Sequence, residues 1–190
     1  DGTLTEMMSY GIVQLINTEN IDVTVDLHEA SPEYPVINAL IAHERAMNLA
    51  SNVVVDMQME GVQISLEPSP TDLRGLTHRE LGDHTDTLAL LMEAPNPAQG
   101  RLRDRTDEAL VLTGKSETYV KAGEIGQLYV PYDENGWPIE VRCARHVFGI
   151  ERILANYSEM YEEPIIVTGM PSYDELVKNG MGPYLNEPTT

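Results

Sequence analysis

The sequence predicts an α/β fold: a mixed, mostly parallel sheet flanked by helices, followed by a smaller β-rich and helical region at the C-terminal end. Three observations predict it. In the first hundred residues strand-like runs are separated by helix-like ones, which is the pattern of layered α/β architectures. Two of the runs, "IDVTVDL" at 21–27 and "TLALLME" at 87–93, carry the two strand signatures, strict alternation and a continuous apolar stretch. From about residue 105 the texture changes to short β runs punctuated by Gly and Pro. The expected division is therefore residues 1–107 as one unit and 108–190 as a small β-rich module with a C-terminal helix.

Taken in order, "TLTEMMSYGIVQLINTEN" opens with Thr3 three residues before Glu6, a capping box, and sets Met8, Ile12, Leu15 and Ile16 at helical spacing. A helix is predicted over 4–17. In "IDVTVDL", Ile21, Val23, Val25 and Leu27 fall on one side and Asp22, Thr24 and Asp26 on the other, so His28 comes at the strand's end on the polar phase. After the Pro32 to Pro35 turn, Ile37, Leu40, Ile41 and Met47 predict a helix over 36–51. "VVVDMQMEGVQISLE" reads as β, with Gly61 at a bulge or turn. "PSPTDLRGLTHRELGDHTD" reads as a long polar loop holding one short helix near 77–81. "TLALLME" then predicts a strand buried on both faces and ending on Glu93. The β module follows as "EALVLTG", "ETYVKAG", "IGQLYVP" and "PIEVR", and "CARHVFGIERILANYS" closes the pattern as an amphipathic helix with Val147, Ile150 and Leu154 in line.

Composition narrows the partners. The 190 residues carry 12 basic and 31 acidic side chains, a net charge of −19. That argues against nucleic acid and anionic membrane, which need a basic face. Mean hydropathy is −0.26, no apolar run reaches membrane-spanning length, and "DGTLTEMMSY" lacks the features of a signal peptide. The single cysteine, Cys143, excludes an internal disulfide framework and fits a reducing compartment such as the cytoplasm. Substrate binding through a local arginine stays compatible with the acidity.

Familiar catalytic motifs are absent. His43-Glu44 is followed three residues later by Met47, so a zincin helix fails, and no His-x-x-Glu pair, P-loop, dinucleotide fingerprint or Gly-x-Ser-x-Gly elbow occurs. In α/β sheets ligands sit beyond the carboxyl ends of strands. Both His28 and Glu93 are expected there. His28 suits a metal ligand steadied by Asp26 or Glu29, or else a hydrogen-bonded surface residue. Glu93, closing an apolar strand, suits a general base whose pKa burial raises, or else a cap on the next turn. His43 reads as solvent-facing or as a satisfied core residue, and His78, Arg79 and His84 as members of a polar loop.

The words around the two positions add to this. "VDLHEA" resembles the strand that delivers the third zinc ligand in the zinc carboxypeptidase-like fold, in its succinylglutamate desuccinylase and aspartoacylase branch. "LLMEAPNPAQGRLR" is similar to that branch's Glu-x-x-Pro-x-x-Gly-x-Leu-Arg block. The resemblance implies a zinc-dependent hydrolase that cleaves the amide bond of an N-acyl amino acid or peptide. In it His28 is a zinc ligand, Glu93 the general base toward the zinc-bound water, and Arg79 the binder of an anionic substrate group. A tyrosine among Tyr119, Tyr129 and Tyr132 is expected to reach the site. The family takes its first two zinc ligands from a His-x-x-Glu pair, and none of the 27 residues before His28 is a histidine. The expectation is a C-terminal portion of a longer enzyme, inactive alone and prone to homo-oligomerise through an open sheet edge. The alternative is a metal-free interaction domain that keeps the sheet.

Overall fold

The structure, a computed structural model, describes residues 2–30, 38–95 and 138–185, with Val36 and Glu124. Its centre is a four-stranded mixed sheet. The strands are β1 (Val23–Ala30), β2 (Ala39–Ala42), β3 (Ser65–Pro68) and β4 (Leu88–Pro95), in the order β1-β4-β2-β3. β1 runs parallel to β4 and β2 parallel to β3, while β2 and β4 are antiparallel. Helices α1 (Leu4–Glu19), α2 (Met47–Met59), α3 (Thr77–His84), α4 (Ile139–Tyr161) and α5 (Tyr173–Asn179) surround it.

The capping box at Thr3 and Glu6 starts α1, and Asn20 ends it in the left-handed conformation at φ 51°. β1 begins two residues later than the alternation alone suggests and runs past His28 to Ala30. β4 likewise continues past Glu93 to Pro95.

The segments between these elements depart from expectation. The helix predicted over 36–51 is instead β2, a short 3-10 turn over Glu44–Ala46, and the start of α2. All four residues of β2 are buried, because the strand lies between β4 and β3 with both faces covered. Such a strand shows no alternation, and its Leu40 and Ile41 fall by accident at helical spacing from Ile37. "VVVDMQM" is the second half of α2 rather than a strand. Leu49, Ala50, Val53, Val54 and Met57 form its buried stripe, so burial of one helix face overrides the β preference of three consecutive valines. Gly61 does turn the chain, at φ 82°. "PIEVR" is also corrected: Pro138 caps α4 and Ile139 to Arg142 form its first turn. The remaining β-module runs at 108–137, and the three tyrosines named with them, lie outside the described residues.

Each face of the sheet has its own cover. On one, Val23, Val25, Leu40, Leu66, Leu88, Leu90 and Met92 pack against α2 and against Phe148, Ile153 and Tyr157 of α4. Gly149 permits this, since a Cβ there would stand 2.1 Å from the Met92 Cε. On the opposite face Ala89 packs with Ile16 of α1 and Leu81 of α3, and Leu91 with Ala39 and Ile41. That second face carries the polar side chains of interest. Among the described residues no helix is long and apolar enough to cross a membrane.

Candidate functional site

Pairing of β1 with β4 brings the two singled-out residues together. In the parallel register His28 lies directly opposite Glu93, and Asp26 opposite Leu91. Side chains two apart on a strand share a face, so Asp26, His28 and Glu93 all point to the α3 side. The His28 Nε2 is 3.1 Å from the Asp26 Oδ2, and its Nδ1 is 3.9 Å from the Glu93 Oε1. The first distance suits a hydrogen bond and the second a contact spanned only when one group moves or a water enters. His28 is half exposed, whereas the Glu93 side chain is 16% exposed and its Oε2 is buried without a hydrogen-bond partner among the described residues.

Electrostatics follow from that placement. Burial pushes the Glu93 carboxyl up to about 7, with the nearby Asp26 charge adding to the rise and His28 opposing it. A carboxyl poised at neutrality exchanges a proton with little driving force in either direction, which is what general acid–base work needs. The end of β1 is fixed from α4 as well. Arg142 forms an ion pair with Glu29, and the His146 ring, held below its usual pKa by burial, sits against the main chain of His28.

Arg79 is placed differently from the expectation of a substrate contact. It is buried in α3, and its guanidinium pairs with both Glu44 oxygens at 2.8 and 2.9 Å and with the Asp83 Oδ1 at 3.3 Å. It also donates to the Ser69 carbonyl at 2.7 Å, to the Ser69 Oγ at 3.1 Å and to the Pro70 carbonyl at 3.2 Å. The fork is thus taken up within the protein, tying α3 to the turn after β2 and to the residues after β3. His43 belongs to the same network: it caps the 3-10 turn by accepting from the Arg45 amide, and its Nε2 faces Asp83 at 3.2 Å and Glu44 at 3.1 Å. Arg79 holds the Glu44 carboxyl down to about 2, while for Asp83 it is Arg74 first, then His43 and Arg79, that bring the carboxyl down to about 2.

This docking depends on close approach at Gly82, where a Cβ would stand 2.3 Å from the His43 Cγ and Cδ2 and 2.9 Å from its Cβ. Gly82→Ala is therefore expected to destabilise the protein by about 1–3 kcal/mol, the usual overpacking cost, even though alanine favours helix by about 1 kcal/mol. A denaturant melt of the variant with an unchanged or higher midpoint would contradict this.

The short helix predicted near 77–81 is α3, which starts at Thr77 and runs on to His84. His78, expected as a member of the polar loop, is instead 3% exposed, and neither ring nitrogen has a partner among the described residues. The one available signal was its spacing of three from Leu81, which puts both on the buried face of a short helix.

For a metal, the described residues supply one imidazole and two carboxylates near it, and among them no three His, Cys, Asp or Glu side chains converge as a metal-holding group. They do not by themselves fit a zinc ion. A search of protein-family models, of curated proteins and of solved structures finds no match to the chain in any of the three.

Proposed function

We propose that the chain contributes His28 and Glu93 to the site of a hydrolase of the succinylglutamate desuccinylase and aspartoacylase type. The reaction is cleavage of the amide bond of an N-acyl amino acid or a peptide. The observation that carries this reading is the Glu93 carboxyl: desolvated near a strand's carboxyl end, with one oxygen unpartnered, opposite an imidazole on the neighbouring parallel strand. In this role Glu93 accepts a proton from the attacking water and returns it to the leaving amine. Asp26 holds the His28 ring by its Nε2, leaving Nδ1 turned toward the reaction space. Zinc enters as the group that would polarise the amide carbonyl. By the resemblance His28 would be one of its ligands, and the His-x-x-Glu pair that would supply the others does not occur in these 190 residues. An anionic substrate group needs a cation other than Arg79, whose donors are engaged.

A second reading is a metal-free binding or interaction domain, since among the described residues no three-ligand group converges. One experiment separates the two. The full-length protein encoded by the gene is purified, its zinc content measured, and hydrolysis of a panel of N-acyl amino acids and short peptides followed. Bound zinc near one per chain with hydrolysis that depends on Glu93 supports the first reading. Full activity in Glu93→Gln sinks it, and a zinc-free, inactive protein favours the second.

A further inference from the structure

His78 is a buried histidine that the proposed reaction does not use, and its place in the fold relates it to that site. Three residues before Leu81, it shares that residue's helix face one turn toward the start of α3. Leu81 packs on Ala89 of β4, and α3 lies over both β4 and β1. Only Thr85, Asp86 and Thr87 separate α3 from β4, so the helix runs back antiparallel to the strand. Each turn toward its start moves toward the carboxyl ends of β1 and β4. A helical turn advances about 5.4 Å and a strand about 3.3 Å per residue. Three helical residues advance about 4.5 Å and two strand residues about 6.6 Å, so His78 lies from Ala89 toward the Asp26–Leu91 row and short of the row of His28 and Glu93. The charges of Asp26 and His28 both act on its ring, which agrees with that position.

The Thr24 Oγ1 projects from the same face of β1, two residues before Asp26, and it too is buried with no hydrogen-bond partner among the described residues. Buried polar atoms are nearly always satisfied by protein or by ordered water, at a cost of about 1–3 kcal/mol each when they are not. The two His78 nitrogens and the Thr24 hydroxyl are three such atoms where α3 covers the sheet, and among the described residues none has a hydrogen-bond partner. A buried site with several polar groups and no direct hydrogen bond among them is where an enclosed water belongs.

We propose that His78 is a positioning residue for the Asp26–His28 pair, joined to the Asp26 carboxylate and to the Thr24 Oγ1 through a water molecule enclosed beneath α3. The neutral His78 ring donates to the water, the water donates to the Asp26 oxygen that His28 does not take, and Thr24 completes its coordination. Asp26 is then held where it accepts from the His28 Nε2–H, and this fixes the His28 tautomer with Nδ1 unprotonated toward Glu93. The functional meaning of that orientation rests on the hydrolase reading, whereas the geometry does not.

The test reads the rings directly. Long-range nitrogen–proton correlation spectra of the 190-residue chain are recorded at alkaline pH, where the imidazoles are neutral, for the wild type, His78→Phe, His78→Gln and Thr24→Val. His28 is expected as a single Nε2–H tautomer in the wild type. Its shifts should move toward the averaged values of a tautomer mixture in His78→Phe and Thr24→Val, and return in His78→Gln, which can still donate to the water. A purely structural role for His78 would leave the His28 tautomer unchanged in a folded His78→Phe, and that result overturns the proposal. If His78→Phe does not fold, Thr24→Val decides alone, since it leaves α3 untouched. A protein that proves to lack zinc or hydrolysis leaves these spectra unaffected, so the two readings fail separately.

Discussion

Glu93→Gln is expected to lower hydrolysis by the full-length protein about 10²- to 10⁴-fold, the range a positioned general base contributes, while making the fold more stable above neutrality. Both effects have one cause. Burial that raises the Glu93 pKa from 4.5 to about 7 means that the folded protein holds this proton more tightly than the unfolded chain does. Stability from the group is fully present below pH 4.5 and is lost as pH rises through 7, where a charged carboxylate must be kept out of water. Glutamine has the same shape and no such titration. The variant should match the wild type below pH 4.5 and exceed it by roughly 3 kcal/mol at pH 8, 2.5 pH units at about 1.36 kcal/mol each. Denaturant melts at several pH values read this. His78 has the opposite slope, since burial lowers its pKa to about 4 and stability is lost as pH falls from 6.5 through that value. Because both proteins keep His78, its contribution cancels in the difference between them. A stability difference independent of pH would show that Glu93 ionises normally and would remove the physical basis for its role as base.

Burial and sheet order decide which parts of this protein were legible in its sequence. The ends of the argument were: α1 by its capping box, β1 by alternation, β4 by its continuous apolar run, and the placement of His28 and Glu93 near the carboxyl ends of two strands. The middle was not. β2 is apolar on every residue because it is covered on both faces, so its pattern cannot be told from a buried helix by period alone. The three valines of α2 favour a strand locally and are helical because Val53 and Val54 pack under α4 while Val55 faces solvent. The adjacency of β1 and β4, and with it the opposition of His28 and Glu93 in one register, is a property of sheet order that no local pattern carries. Arg79 makes the same point from the other side. The family resemblance made this arginine the binder of an anionic substrate group, and only the arrival of Glu44, 35 residues earlier in the chain, shows what its guanidinium holds in the fold.

Arg79→Ala is accordingly expected to act on the fold, by about 3 kcal/mol. The Ser69 carbonyl and hydroxyl lose their donors while Ser69 stays buried, each a cost of about 1–3 kcal/mol. Glu44 adds less, because its side chain is 56% exposed and water can take over. That exposure keeps the total toward the low end of what breaking a buried ion pair costs. The loss has a pH signature. Glu44 and Asp83 are held at about 2, below their ordinary 4.5 and 3.8, so the stability they contribute is present above those ordinary values and disappears as pH falls toward 2. In Arg79→Ala this acid limb should flatten, although Arg74, 2.5 Å from the Asp83 Oδ2, preserves part of it. Hydrogen exchange should show α3 opening before the sheet, because Arg79 ties it to the residues after β3 and, beside His43 and Arg45, to the turn after β2. Arg79→Lys keeps the charge but not the fork, and with one point charge facing two Glu44 oxygens and the Ser69 carbonyl it should recover only part of the loss. Full stability in Arg79→Ala, with activity alone reduced, would instead return this arginine to the substrate.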